Sequence, residues 1–300
     1  MIGLVNIYKE KGFTSHDVVN VVRRLTKSKA GHTGTLDPNA TGVLPVCLGR
    51  ATKIADYVMA ADKEYVAEVV FGAATDTLDS TGQIVDENFK LVKLSEIEAV
   101  LPNFIGEILQ IPPKYSAIKV SGKKLYEYAR AGDEVEIKPR EVFIHNIEIL
   151  EANLPRAVTI RVSCSKGTYI RSLCADLGEK LETLAHMGEL LRTRNGNFCV
   201  EKSMTLSCLE ELAQAGRAHE AVMPIEVVLS HLPRFVIKGE ADKWLKNGNK
   251  IPMDFVVGLD KPFVEEYLAF TEDGVVAGIF APVSGFIKPK VMLMETRGGS

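Results

Sequence analysis

At 300 residues, with 46% hydrophobic and 25% charged side chains, the chain has room for one large domain or a main domain with a small companion. No run of about 18 or more uncharged apolar residues occurs, which argues against a membrane span, and the opening MIGLVNIYKEKGF lacks the pattern of a secretory signal. A net charge of -3 argues against nucleic acid as a partner, but residues 1–60 hold eight Lys/Arg against four Asp/Glu, a local excess suited to phosphates.

In chain order, SHDVVNVVRRLTK reads as a helix, with Ser15 as N-cap and Val18, Val19, Val22 and Leu25 on one face. The loop GHTGTLDPNATG follows, and VLPVCLGRATKIADYVMA passes from an apolar run into a helical pattern. KEYVAEVVFGAAT is a strand bounded by Gly72, and DTLDSTGQ is a turn. LSEIEAVLPNFIGEI reads as a helix capped by Ser95, with Glu98 completing a capping box. IPPKYSAIKVSGKKLYEYARAG is basic and tyrosine-rich. AVTIRVSCSKGTYIRSLCADLGEKL gives a strand, a turn at Lys166–Gly167 and a helix. Beyond IEVVLSHLPRF come short strands separated by turn signals, and residues 232–300 hold nine basic and nine acidic residues, so a small β module is expected there. The five cysteines include no C-x-x-C pair, which argues against a zinc ribbon or disulfide framework and for a reducing compartment. The Asn39-Ala40-Thr41 sequon is a coincidence without a secretory signal.

The loop around Asp37 carries the chemistry. It has no Walker lysine, and a carboxylate at its centre would repel phosphate. An aspartyl-phosphate nucleophile would precede Thr-Gly-Thr, whereas here that triplet comes before Asp37. The residues alone leave two readings, a plain Asp-Pro-Asn turn or a presented catalytic carboxylate.

GHTGTLDPNATGVLPVCLGRATK resembles the catalytic motif of the pseudouridine synthases, specifically the tRNA pseudouridine synthase B (TruB) branch. Gly31, His32, Gly34, Leu36, Asp37, Ala40, Gly42, Leu44 and Gly49 all match. KEYVAEVVFGAATDTLDSTG, IPPKYSAIKVSGKKLYEYARAG, SKGTYIRSLCADLG and AHMGELLRTRNGNF agree in the same order. Two positions depart from the pattern: Glu10 stands where proline is usual, and Leu191 replaces the first arginine of Leu-Arg-Arg-Thr.

The resemblance implies an α+β pseudouridine synthase fold with a central mixed, mainly antiparallel sheet over residues 1–229, an RNA-gripping insertion at about 114–140 and a mainly-β PUA domain over 230–300. It implies isomerisation of a tRNA T-loop uridine (position 55) by a cytoplasmic monomer, without metal or cofactor. Asp37 would be the nucleophile or base, acting on ribose C1', uracil C6 or the 2'-proton. Arg171 would pair with Asp37 and pull its pKa down, and Tyr65 would stack on the base. Leu190 would wall the site, with Leu191 the alternative; His32 would fill the space left by flipped-out bases. Asp79 would contact substrate. Lys53, Lys119, Lys123, Lys124, Tyr128 and Arg130 would grip RNA. Two readings compete: a tRNA-binding or folding module without catalysis, and a guide-dependent RNA pseudouridine synthase.

Overall fold

The computed structural model describes residues 1–259 and 264–295. The chain opens with β1 (Gly3–Lys9), α1 (Ser15–Thr26), β2 (Ala30–His32) and β3 (Thr41–Leu48). A 3-10 segment over 49–54 leads into α2 (Ala55–Ala60) and β4 (Lys63–Phe71). A small hairpin of β5 (Ala73–Thr75) and β6 (Ile84–Glu87) precedes α3 (Leu94–Val100) and β7 (Gly106–Gln110). Next come β8 (Lys119–Val120), β9 (Lys123–Lys124) and α4 (Leu125–Ala131), then the long β10 (Arg140–Asn153) and β11 (Ala157–Cys164). Then follow α5 (Ile170–Lys180), β12 (Ala185–Asn195), β13 (Phe198–Cys199), α6 (Leu206–Gln214) and a short α7 (Ile225–Val228).

The main sheet runs β1-β3-β12-β4-β11-β10-β7, with β2 on β3 and β13 on β12. Its ladders are antiparallel except for β3 with β12, so the sheet is mixed as expected. Alternation sets the faces: in β11 Val158, Ile160 and Val162 are buried in the apolar core with Val69 of β4 and Leu173 of α5. The parallel contact is unusually close. A Cβ on Gly42 would lie 2.2 Å from the Arg192 carbonyl oxygen, and its φ of +106° is one that glycine tolerates.

Two helix starts differ from the sequence reading. Thr14, not Ser15, caps α1: its Oγ1 accepts the Asp17 N–H at 3.1 Å, and the Asp17 carboxylate accepts the Thr14 N–H at 2.9 Å. Ser15 is buried and serves another purpose, described below. Helix α3 begins two residues earlier, its cap being Lys93 in place of Ser95; the Lys93 N–H donates to Glu96 at 2.8 Å. It stops at Val100, where a 3-10 segment containing Pro102 takes over through Phe104, and Gly106 at φ +98° then turns the chain into β7.

A second sheet follows. Its strands are β14 (Arg234–Ile237), β15 (Ile251–Pro252), β16 (Val256–Val257), β17 (Tyr267–Thr271), β18 (Val276–Val283) and β19 (Phe286–Met292), in the order β15-β19-β18-β17-β14-β16. Leu268, Ile279 and Leu293 share an apolar cluster with Leu4, Val43 and Ile54, so this module packs directly on the back of β1 and β3. Lys53 belongs to that seam. Its Nζ donates to the Met292 carbonyl at 3.0 Å, its side chain is exposed, and it does not line the cavity described next.

Candidate active site

A cavity of about 710 Å³ opens between the main sheet and the β8–α4 insertion. Asp37 enters it from the loop joining β2 to β3. The loop is anchored from two sides. The Ser15 hydroxyl donates to the Leu36 carbonyl at 3.0 Å, while the Leu36 N–H donates back to it at 2.9 Å. Lys9, fully buried, donates to the carbonyls of Glu10 (3.1 Å), Phe13 (2.7 Å) and Pro38 (2.9 Å). Burial lowers the Lys9 pKa to about 8, with Asp37 acting in the opposite sense. Sequence reasoning assigned Lys9 no role; the matched segment YKEKGFTS was the available signal. Glu10, the departure from proline, sits on the exposed side of this turn, where its side chain disturbs nothing.

Arg171, at the start of α5, is 6% exposed and meets Asp37 with two nitrogens. Nε lies 3.0 Å from Oδ2 and Nη2 lies 3.3 Å from Oδ1. Its remaining donors reach the carbonyls of Thr77 (3.2 Å) and Tyr115 (3.0 Å). Two features bear on the sequence reading. Asp79 is engaged within the protein: Oδ1 accepts from the Thr77 hydroxyl at 2.8 Å and the Thr81 N–H at 3.0 Å, and Oδ2 lies 3.5 Å from Arg171 Nη1. It braces Arg171 from behind. The second concerns Asp37, whose pKa is raised where Arg171 was expected to lower it. Desolvation outweighs the pull of Arg171; Asp79 adds to the rise and Lys9 opposes it.

The floor comes from two neighbouring strands. Lys63 and Tyr65 of β4 point the same way, as residues two apart must, and Leu190 and Arg192 of β12 lie beside them. Arg192 stands opposite Tyr65 in the β4–β12 register. Burial raises the Tyr65 pKa, and the neighbouring Arg192 opposes the rise. Leu190 lines the cavity, whereas Leu191 is paired with Val66 and Thr41 and does not, which decides between the two leucines.

Residues 22–170 match the TruB family pseudouridylate synthase (N terminal domain), and residues 171–230 match the tRNA pseudouridylate synthase B C-terminal domain. The chain belongs to the TruB family. It is 42% identical over 306 residues to tRNA pseudouridine synthase B of Bacillus subtilis, covering 98% of both chains. The same-named protein of Clostridium tetani is 47% identical over 253 residues, 84% of this chain and 86% of that one. Among solved structures, a chain of an archaeal box H/ACA sRNP complex superposes with TM-score 0.75 at 28% identity, covering 98% of this chain and 86% of that one. An H/ACA RNP bound to a substrate RNA containing 2'-deoxyuridine gives TM-score 0.73 at 27% identity, with coverage of 98% and 85%.

In this TruB-family chain the insertion is a hairpin and a short helix. Ser121 and Gly122 both take positive φ, the conformation of a tight two-residue turn. The Tyr128 hydroxyl donates to the Val120 carbonyl at 3.1 Å, pinning α4 to the hairpin. Lys123 lies over the Tyr128 ring at 5.6 Å, and Lys124 and Arg130 lie 5.4 Å from the ring of Tyr126. Tyr126 lines the cavity together with Tyr115 and Tyr169; the first two belong to the basic, tyrosine-rich segment, and the sequence reading gave Tyr169 no role. Lys119, Lys123 and Arg130 are exposed. His32 ends β2 and does not line the cavity; its half-buried ring is held toward the neutral form by burial, Arg192 and His16. Among the described residues no group of three or more His, Cys, Asp or Glu is placed to hold a metal ion, and no helix is long and apolar enough to cross a membrane.

Proposed function

We propose that this protein isomerises the T-loop uridine of tRNA (position 55) to pseudouridine, with Asp37 as the reacting carboxylate. The observation that carries this reading is the Asp37–Arg171 pair at the mouth of a cavity sized for a nucleotide, floored by Tyr65 and Leu190. The names of the relatives supply the tRNA substrate. The reaction breaks C1'–N1 and makes C1'–C5; the C5 hydrogen leaves as a proton and N1 gains one, so there is no net redox change. The base must be outside its stack to enter, which costs a few kcal/mol that ring contacts in the cavity offset. Tyr65 supplies the stacking face, and Arg171 keeps an ionised Asp37 attainable in an enclosed site.

The exposed Lys119, Lys123 and Arg130, with Lys124, hold RNA phosphates along the insertion, and His32 stands in for displaced bases in the loop. The β module from residue 230 is a PUA-type RNA-binding domain, a reading supported by its six-stranded sheet. The protein acts as a monomer in the cytoplasm. The guide-dependent reading has less support: the RNP chains are 27–28% identical, against 42–47% for the two tRNA pseudouridine synthases. The test is a T-arm stem-loop carrying 5-tritiated uridine. Wild type releases tritium and Asp37→Asn releases none; release by the variant, or RNA binding without release in wild type, refutes the assignment.

A further inference from the structure

The floor of the cavity includes a cation that the proposed chemistry has not used. Arg192 is 1% exposed, and among the described residues no carboxylate lies within ion-pair distance of it. A buried charge without a counter-ion costs several kcal/mol unless its donors are fully used. Its donors go to backbone instead. Nε donates to the Val43 carbonyl at 2.8 Å and Nη2 to the Gly34 carbonyl at 3.3 Å. Gly34 lies three residues before Asp37, in the same loop, and Val43 belongs to β3, which leads away from it. The guanidinium also flanks the Tyr65 phenol across the β4–β12 ladder.

Arg192 is therefore hydrogen-bonded to the Asp37 loop and to β3, and lines the cavity opposite Tyr65 in the ladder. Guanidinium has five N–H donors, no acceptor and a rigid plane, so its partners are fixed relative to one another. It can meet the Tyr65 oxygen only as a donor, which leaves the phenol's own hydrogen to point elsewhere. Lys63, two residues before Tyr65 on the same face, cannot replace it: its Nζ is taken by the carbonyls of Met59 and Ala61. Leu191, standing where the family pattern has arginine, does not line the cavity.

We propose that Arg192 is a positioning residue that couples the Asp37 loop to Tyr65, setting the separation of carboxylate and phenol and directing the phenol hydrogen into the cavity. The proposal rests on the reading of the site as a pseudouridine synthase. It predicts a loss in turnover with RNA binding retained, because Arg192 is 1% exposed and donates to the backbone carbonyls of Val43 and Gly34. A displacement of about 1 Å between reacting groups costs on the order of 100-fold in rate.

The experiment compares wild type, R192Q and R192K in tritium release, with kcat and KM separated, and follows the 13Cζ resonance of Tyr65, assigned by its absence in Y65F. R192Q is expected to lower kcat about 100-fold with KM within about 3-fold. R192K keeps the charge but not the fork, so it should recover part of the rate. The Tyr65 resonance should shift in both variants, while the other tyrosine resonances stay in place. Should R192Q fail to fold, R192K carries the test alone, with a reduced kcat and a displaced Tyr65 signal. Wild-type kcat in R192K, or an unmoved Tyr65 resonance beside a lowered kcat, overturns the proposal. Absence of tritium release by wild type would instead overturn the functional reading itself.

Discussion

Replacing Arg171 by methionine removes the cation from between two carboxylates, Asp37 and Asp79, and its consequence is a shift in pH dependence. Desolvation already raises the Asp37 pKa above 3.8, with Arg171 the largest opposing influence. The two contacts of 3.0 and 3.3 Å place the charge centres roughly 4 Å apart, where a pair is worth about 1 kcal/mol in water and about 4 kcal/mol near a protein surface. The Asp37 side chain is 38% exposed, so the value lies between those limits. Loss of the cation removes the largest influence opposing desolvation, so the Asp37 pKa rises further. The ionised carboxylate is the reacting form, so activity falls as pH drops through that pKa. The acid limb of kcat/KM, which reports the free enzyme, should therefore move upward in Arg171→Met. Arg171→Lys keeps the charge and should leave the limb nearly in place, while lowering the rate because an ammonium cannot present two fixed nitrogens to the carboxylate. The assay is tritium release from the T-arm stem-loop between about pH 5 and 9. An acid limb in Arg171→Met that coincides with that of wild type would refute the electrostatic argument, whatever the rate at the plateau.

Two further substitutions probe other parts of the structure. Gly42→Ala forces a Cβ to within 2.2 Å of the Arg192 carbonyl oxygen at a φ of +106°, so β3 and β12 must separate. A loss of about 2–4 kcal/mol in chemical denaturation is expected, and an unchanged midpoint would show that the strands can part freely. Lys119→Ala with Lys123→Ala should weaken T-arm binding and reduce the slope of log K against log salt by about 0.7–0.9 for each phosphate no longer neutralised. Their kcat at saturating RNA should stay at the wild-type value; a lower kcat with an unchanged salt slope would place these lysines outside the RNA-binding path.

The sequence by itself settled the local chemistry. The alternation in AVTIRVSC, the face shared by Val18, Val19 and Val22, and the Lys166–Gly167 turn before α5 follow from side-chain periodicity and backbone sterics, and all three are present. The motif around Asp37 identified the family before any fold was known. What it could not contain was the outcome of contacts between residues more than a hundred positions apart. Whether Arg171 or desolvation governs Asp37 depends on how deeply α5, the 77–81 turn and the β2–β3 loop enclose the carboxylate, and a sequence carries no measure of enclosure. The choice between Leu190 and Leu191 depended on the β12 register against β4, where a one-residue slip exchanges faces. That Lys53 also bonds the last residue of β19 is a fact nothing local in the sequence announces. Lys9 and Arg192 drew no attention as single basic residues; only folding buries them against backbone carbonyls of the catalytic loop, where their limited set of acceptors fixes the geometry.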